Sequence, residues 1–65
     1  MSDITRYLLN IISKYYSIQY NELEYAYNKL LSFDRLLEAI EYSMKNNLKL
    51  SVYAHELRNK LKDGR

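Results

Sequence analysis

"DITRYLLNIISKYY", residues 3–16, sets Ile4, Tyr7, Leu8, Leu9, Ile11, Ile12, Tyr15 and Tyr16 three or four residues apart. That recurrence is the period of an α-helix, not the strict alternation of a half-buried strand. On a wheel of 100° per residue these side chains cover roughly 200°, about twice what one core-facing stripe needs. The segment is therefore expected either to run through the centre of a helical bundle or to be buried a second time in an oligomer. Leu9, Ile12 and Tyr16, along one edge of the arc, are the residues expected at such a self-association interface, most simply that of a homodimer.

Working outward from this segment, helical spacing continues to the end of the chain. "SIQY" (17–20) interrupts the pattern. Asn21 is expected to open a second helix with a capping-box-like pair, Asn21 and Glu24, whose side chains satisfy orphan N–H groups. Leu23, Ala26, Tyr27, Leu30 and Leu31 form its stripe. At "SFD" (32–34) the register slips: Ser32 caps a third helix, with Asp34 favourable in the first turn. Phe33, Leu36, Leu37, Ile40 and Met44 give the third inner face. "KNN" (45–47) ends it, because asparagine tolerates the left-handed conformation of a C-terminal cap. The stripe does not continue in register through 45–49, so a sharp break at Asn46-Asn47 is expected. A last helix over 50–62 buries Leu50, Tyr53, Ala54, Leu57 and Leu61, with Ser51 as cap and Gly64 as stop. The expected fold is all-α, a bundle of about four short helices forming one compact domain over 1–65.

Composition narrows the function classes. The chain has 65 residues, 48% of them hydrophobic, with eight tyrosines, no proline and one glycine, so disorder is not expected. No cysteine is present, which removes disulfides, thiolate nucleophiles and cysteine zinc sites. Aliphatic runs never exceed two residues, so neither a membrane span nor a signal-peptide core is expected, and a cytoplasmic location follows. One histidine, no glycine-rich phosphate loop and carboxylate pairs (Glu22/Glu24, Glu38/Glu41) that read as solvated surface leave catalysis little footing. No enzyme, cofactor, metal or small-molecule substrate is expected. AT-rich codons favour Tyr, Ile, Asn and Lys, so an AT-rich genome is one explanation of the tyrosine content. A partner surface is the other explanation, since tyrosine suits interfaces.

Charge is distributed unevenly. Residues 1–44 carry four cations against six carboxylates, net −2, and residues 45–65 carry six cations against two, net +4. On the last helix His55, Arg58 and Lys62 follow i, i+3, i+7, with Asn59 beside them and Lys49 and Lys60 on the opposite flank. A ridge of arginine, lysine and amide suits phosphates and base edges in a major groove. Ordinary snorkelling side chains at a core boundary would look the same. As a helix-turn-helix, the third and fourth helices would use Ser43 as the small residue, Asn47 as the turn and Leu48 packed inward. The closing apolar position then falls on Glu56 rather than Leu57, one residue out of register.

"LLEAIEYSMKNNLKLSVYAHELRNKLKDG" (36–64) resembles the last two helices of the DnaD/DnaB-type C-terminal domain of primosomal and phage replication proteins. The resemblance rests on Glu38-Ala39-Ile40 in the first helix, the asparagine hinge, and Tyr53, Leu57 and Leu61 at the positions of a Tyr-x-x-x-Ile-x-x-x-Trp pattern, with leucine standing for the tryptophan. It covers under half the chain and implies DNA binding and self-association without catalysis. Besides a purely structural assembly module, two functions stay open. One is a small non-enzymatic protein of DNA transactions, in replication or its control, of phage or mobile-element origin, binding nucleic acid through His55, Arg58, Asn59 and Lys62. The other is an inhibitor or adaptor that grips a protein partner through Tyr20, Tyr25 and Tyr42, with Tyr16 a further candidate, all of them off or at the edge of the core stripes.

Overall fold

Four helices, α1 (Asp3–Tyr16), α2 (Tyr20–Leu30), α3 (Phe33–Lys45) and α4 (Leu50–Asp63), follow one another through connections of two to four residues. The computed structural model describes residues 2–63. No strand occurs among them, and the expected all-α bundle of four short helices is the observed fold.

Each boundary has a local cause. Ser2 accepts a hydrogen bond from the Thr5 N–H and opens α1. The helix closes where Ser17 turns left-handed (φ 57°), so that both the Ser17 and Ile18 N–H groups donate to the Ser13 carbonyl. The Ser13 hydroxyl donates to the Ile18 carbonyl and pins the same turn. Ser32 caps α3 as expected, accepting from the Arg35 N–H at 3.3 Å. The break after α3 also falls where expected: Asn47 is left-handed (φ 55°), and the Leu48 N–H donates to the Ser43 carbonyl at 2.8 Å. Asn46 folds its amide back onto the Tyr42 carbonyl.

Two caps differ from expectation. Residue α2 begins at is Tyr20, not Asn21, and Gln19 precedes it without a side-chain cap. Ser51 does not cap α4 but lies inside its first turn. Its N–H is taken by the Glu22 carboxylate at 3.2 Å, reaching across from α2. Helix-start donors are orphaned by geometry, and any well-placed oxygen serves them. Here the tertiary fold supplies it. The expected stop, Gly64, lies outside the described residues.

The core is one cluster: Leu9 from α1, Leu23, Ala26 and Leu30 from α2, Leu36, Ala39 and Ile40 from α3, and Leu50 and Ala54 from α4. Three of these are alanines, one on each of α2, α3 and α4, and small side chains let helix backbones approach closely. Ser43 is buried too, its hydroxyl satisfied by the Ile40 carbonyl at 2.9 Å. Two ring pairs brace the joints: Tyr27 on Phe33 across the α2–α3 turn, and Tyr42 stacked on Tyr53 between α3 and α4, with centroids 4.8 and 4.7 Å apart.

The central helix is α2, which packs on all three others, and α1 packs on α2 alone. So α1 is not the centre of the bundle, despite carrying the widest apolar arc. With principal extents of 32 × 26 × 17 Å, the molecule is less than two helix diameters thick, and every helix keeps a face to solvent. Several residues assigned inward accordingly point out: Leu31, Met44, Leu48 and Leu61 are all exposed. Leu31 and Leu48 follow left-handed or turn backbone that rotates them off their stripes. Leu61 lies one turn past Leu57, the last α4 side chain packed against the core, and Met44 is exposed where its neighbour Ser43 is buried.

Candidate functional site

α4 turns Leu50 and Ala54 into the core and half-buries Tyr53 and Leu57 beside them. This fixes the rotation of the helix. His55, Arg58, Asn59 and Lys62 then fall together on one exposed flank, with Lys60 on the other. At the start of the ridge the Asn59 amide lies 3.4 Å from His55 Nε2, a long contact that lines the two polar groups up along the helix. Glu56 sits nearly opposite Arg58 on the wheel, though it borders the groove beside His55.

The ridge continues onto α2. Tyr25, Ser51, Val52, His55 and Glu56 line an open groove of about 420 Å³ between the two helices. Lys29 holds its ammonium 5.2 Å from the centre of the Tyr25 ring, a cation–π distance. Tyr25 and Lys29 are one helical turn apart, so their pairing was readable as an i, i+4 relation. The place of Tyr25 beside His55 was not, because it depends on how α2 and α4 pack. The surface is thus cationic along α4, with the Tyr25 ring and its paired Lys29 on α2, and Glu56 as the acidic member of the groove.

Among the described residues no three His, Asp or Glu side chains converge as metal ligands. No helix among them is long and apolar enough to cross a membrane.

The other expected sites are placed differently. Leu9 is completely buried in the protein's own core and cannot meet a partner, and Ile12 and Tyr16 are half-buried against the same cluster. The opposite edge of α1 is the open one: Ile4, Tyr7, Leu8, Ile11 and Tyr15 all face solvent, Ile4 at 72% and Tyr15 at 79% exposure. Of the tyrosines expected to grip a partner, Tyr25 and Tyr42 are exposed. Tyr20 is turned inward, and its buried hydroxyl finds no partner among the described residues. Tyr42 offers one ring face only, the other being stacked on Tyr53.

The fold and this surface define a class, a small all-α bundle with a cationic helix flank and an uncovered apolar helix face. No protein-family model, curated protein or solved structure matches the chain.

Proposed function

We propose that the protein is a non-enzymatic nucleic-acid-binding module, acting in DNA replication or its control, in which α4 engages the phosphate backbone. One observation carries the reading. Arg58 and Lys62 share an exposed flank with His55 and Asn59 on a helix whose opposite side is locked into the core. Phosphate contacts need cations held in register on a rigid element, and amides beside them can meet base edges. Tyr25 with Lys29 at the groove edge adds a stacking face of the kind that serves unpaired bases. The resemblance of residues 36–64 to the DnaD/DnaB-type domain points the same way, and the proposal extends to a phage or mobile-element origin.

Anisotropy titrations of duplex and single-stranded oligonucleotides at two salt concentrations test it. The Arg58→Ala/Lys62→Ala double variant is expected to keep its helical spectrum, because neither side chain packs in the core. It should bind more weakly, and its log–log salt slope should flatten by about two units at roughly 0.9 per lost phosphate contact. A wild-type protein that binds neither form at low salt overturns the proposal.

A second reading, a protein-binding adaptor, is favoured by the openness of Tyr25 and Tyr42, since exposed aromatic rings are frequent interface anchors. It expects no affinity for nucleic acid and loss of partner capture on Tyr25→Ala/Tyr42→Ala.

A further inference from the structure

The uncovered face of α1 is the largest apolar feature that the basic ridge leaves unexplained. Ile4, Tyr7, Leu8, Ile11 and Tyr15 are all exposed. They span about 100° of the wheel, the width of one helix-packing stripe. The other half of the same helix is spent on the core through Leu9, with Ile12 and Tyr16 half-buried beside it. Since α1 packs on α2 alone, no other helix of the chain covers this stripe.

We propose that the stripe is a homodimer interface in which α1 of one copy lies antiparallel against α1 of a second. Three features of the helix favour a second copy in this orientation.

The first is spacing. Ile4, Leu8, Ile11 and Tyr15 are separated by four, three and four residues, the alternation of a coiled-coil seam, and that series reads the same in both directions. A two-fold axis near residues 9 and 10 therefore superposes the stripe on itself, as an isologous interface requires.

Size is the second. In the antiparallel register Ile4 meets Tyr15 of the other copy and Leu8 meets Ile11, each pair occurring twice. The bulky ring is matched with an aliphatic side chain at both ends. A parallel pair would set Tyr15 against Tyr15 and Ile4 against Ile4, crowding one end and leaving the other thin.

Charge is the third. Asp3 lies in the first turn of α1 and Lys14 in the last, and both fall on the flank of the stripe that Tyr7 borders. Antiparallel pairing brings Lys14 of one copy to within about 3 Å, measured along the axis at 1.5 Å per residue, of both Asp3 and Tyr7 of the other. Its ammonium can then meet a carboxylate and a ring face, repeating the Lys29–Tyr25 pairing within the chain. A parallel pair would set these flanks on opposite sides of the seam, leaving Lys14 far from both Asp3 and Tyr7 of the other copy, and would align the two helix dipoles unfavourably.

The seam is one 14-residue helix long, about 21 Å, so the contact is small and the dimer should dissociate reversibly on dilution. Sedimentation velocity is expected to show dimer at about 200 μM and monomer at low micromolar concentration, as suits an interface at the small end of the range. Ile4→Lys/Ile11→Lys should weaken association by at least about a hundredfold, since charge replaces apolar contact four times per dimer. Its circular dichroism should match wild type, both side chains being solvent-facing. Orientation is read separately. The chain has no cysteine, so Ile4→Cys and Tyr15→Cys variants each carry one thiol. A short bis-maleimide should couple a mixture of the two and neither variant alone, because residues 4 and 4 of an antiparallel pair sit about 16 Å apart along the axis. Three results would each overturn the proposal: wild type that stays monomeric up to a millimolar, a dimer indifferent to the two lysines, or efficient coupling of Ile4→Cys with itself.

Discussion

Leu31 carries the clearest conflict between a side chain and its backbone. It closes α2 in the left-handed region, φ 53°, where only glycine and, to a lesser degree, asparagine sit without strain. Its side chain is 73% exposed, so little packing compensates. Leu31→Gly should relieve the clash between Cβ and the carbonyl while giving back part of the gain in unfolded-chain entropy. A net stabilisation of about 0.5–1 kcal/mol is expected, visible as a thermal midpoint a few degrees higher. A lower midpoint would show that Leu31 packs in a way its exposure hides. Tyr53 makes the second residue-scale case. Burial pushes its phenol above the ordinary value of 10.0, and the neighbouring Tyr42 and Glu38 push it the same way. A group whose folded pKa is raised contributes stability that is complete below its unfolded pKa and lost as pH climbs through the folded one. The fold should thus weaken above pH 10, and Tyr53→Phe should flatten that limb of a pH-dependent denaturation series. An unchanged alkaline limb would refute the assignment.

At the scale of elements, local chemistry was legible wherever a helix end is built from its own residues. Ser32 and Asn47 read correctly from capping and turn preferences, and the extent of α1 from its apolar spacing. The start of α2 and the cap of α4 did not, and one residue accounts for part of both. Glu22 sits where a local cap would be sought for α2, yet its carboxylate is committed to the Ser51 N–H, 29 positions away. No pattern within a helix can announce such a bond. Its consequence is measurable: Glu22→Ala should free an orphan donor at the start of α4 and remove a carboxylate from the positive end of the helix dipole. The expected loss is about 1 kcal/mol. Glu22→Gln, which keeps an acceptor without the charge, should lose only part of it. Equal losses for both variants in urea titrations would mean the contact acts through charge alone. The same limit governs α1. Periodicity correctly marks an arc apolar over both halves, but the half that turns inward is chosen by α2, so Leu9 joined the core while Ile4 and Tyr15 stayed out. Likewise the basic flank of α4 was readable from spacing, whereas Tyr25 and Lys29 join it only through the packing of α2 on α4.

For the whole molecule, the consequence of this architecture is an uneven distribution of stability. α2 is braced on three sides and α1 on one, so α1 has the fewest contacts opposing its detachment. Elements with few packed neighbours open locally at a lower free energy than the global transition. In the monomer, amide exchange should therefore be fastest in α1 and slowest in α2, whose Leu23 and Ala26 are fully buried. If a second copy covers Ile4, Leu8, Ile11 and Tyr15, association ties down the helix that is otherwise first to leave. Binding that involves only the folded state raises apparent stability in proportion to the logarithm of concentration. Exchange from α1 should then slow as the protein is raised from low micromolar to hundreds of micromolar, while exchange from α2 in the same samples changes less. The thermal midpoint should rise over the same range, and Ile4→Lys/Ile11→Lys should abolish both trends while leaving the dilute-protein values in place. Hydrogen–deuterium exchange read by mass spectrometry of α1 and α2 peptides separates the two contributions. Protection of α1 that is high and independent of concentration would mean the helix is held by its own chain, and would remove the reason for a partner.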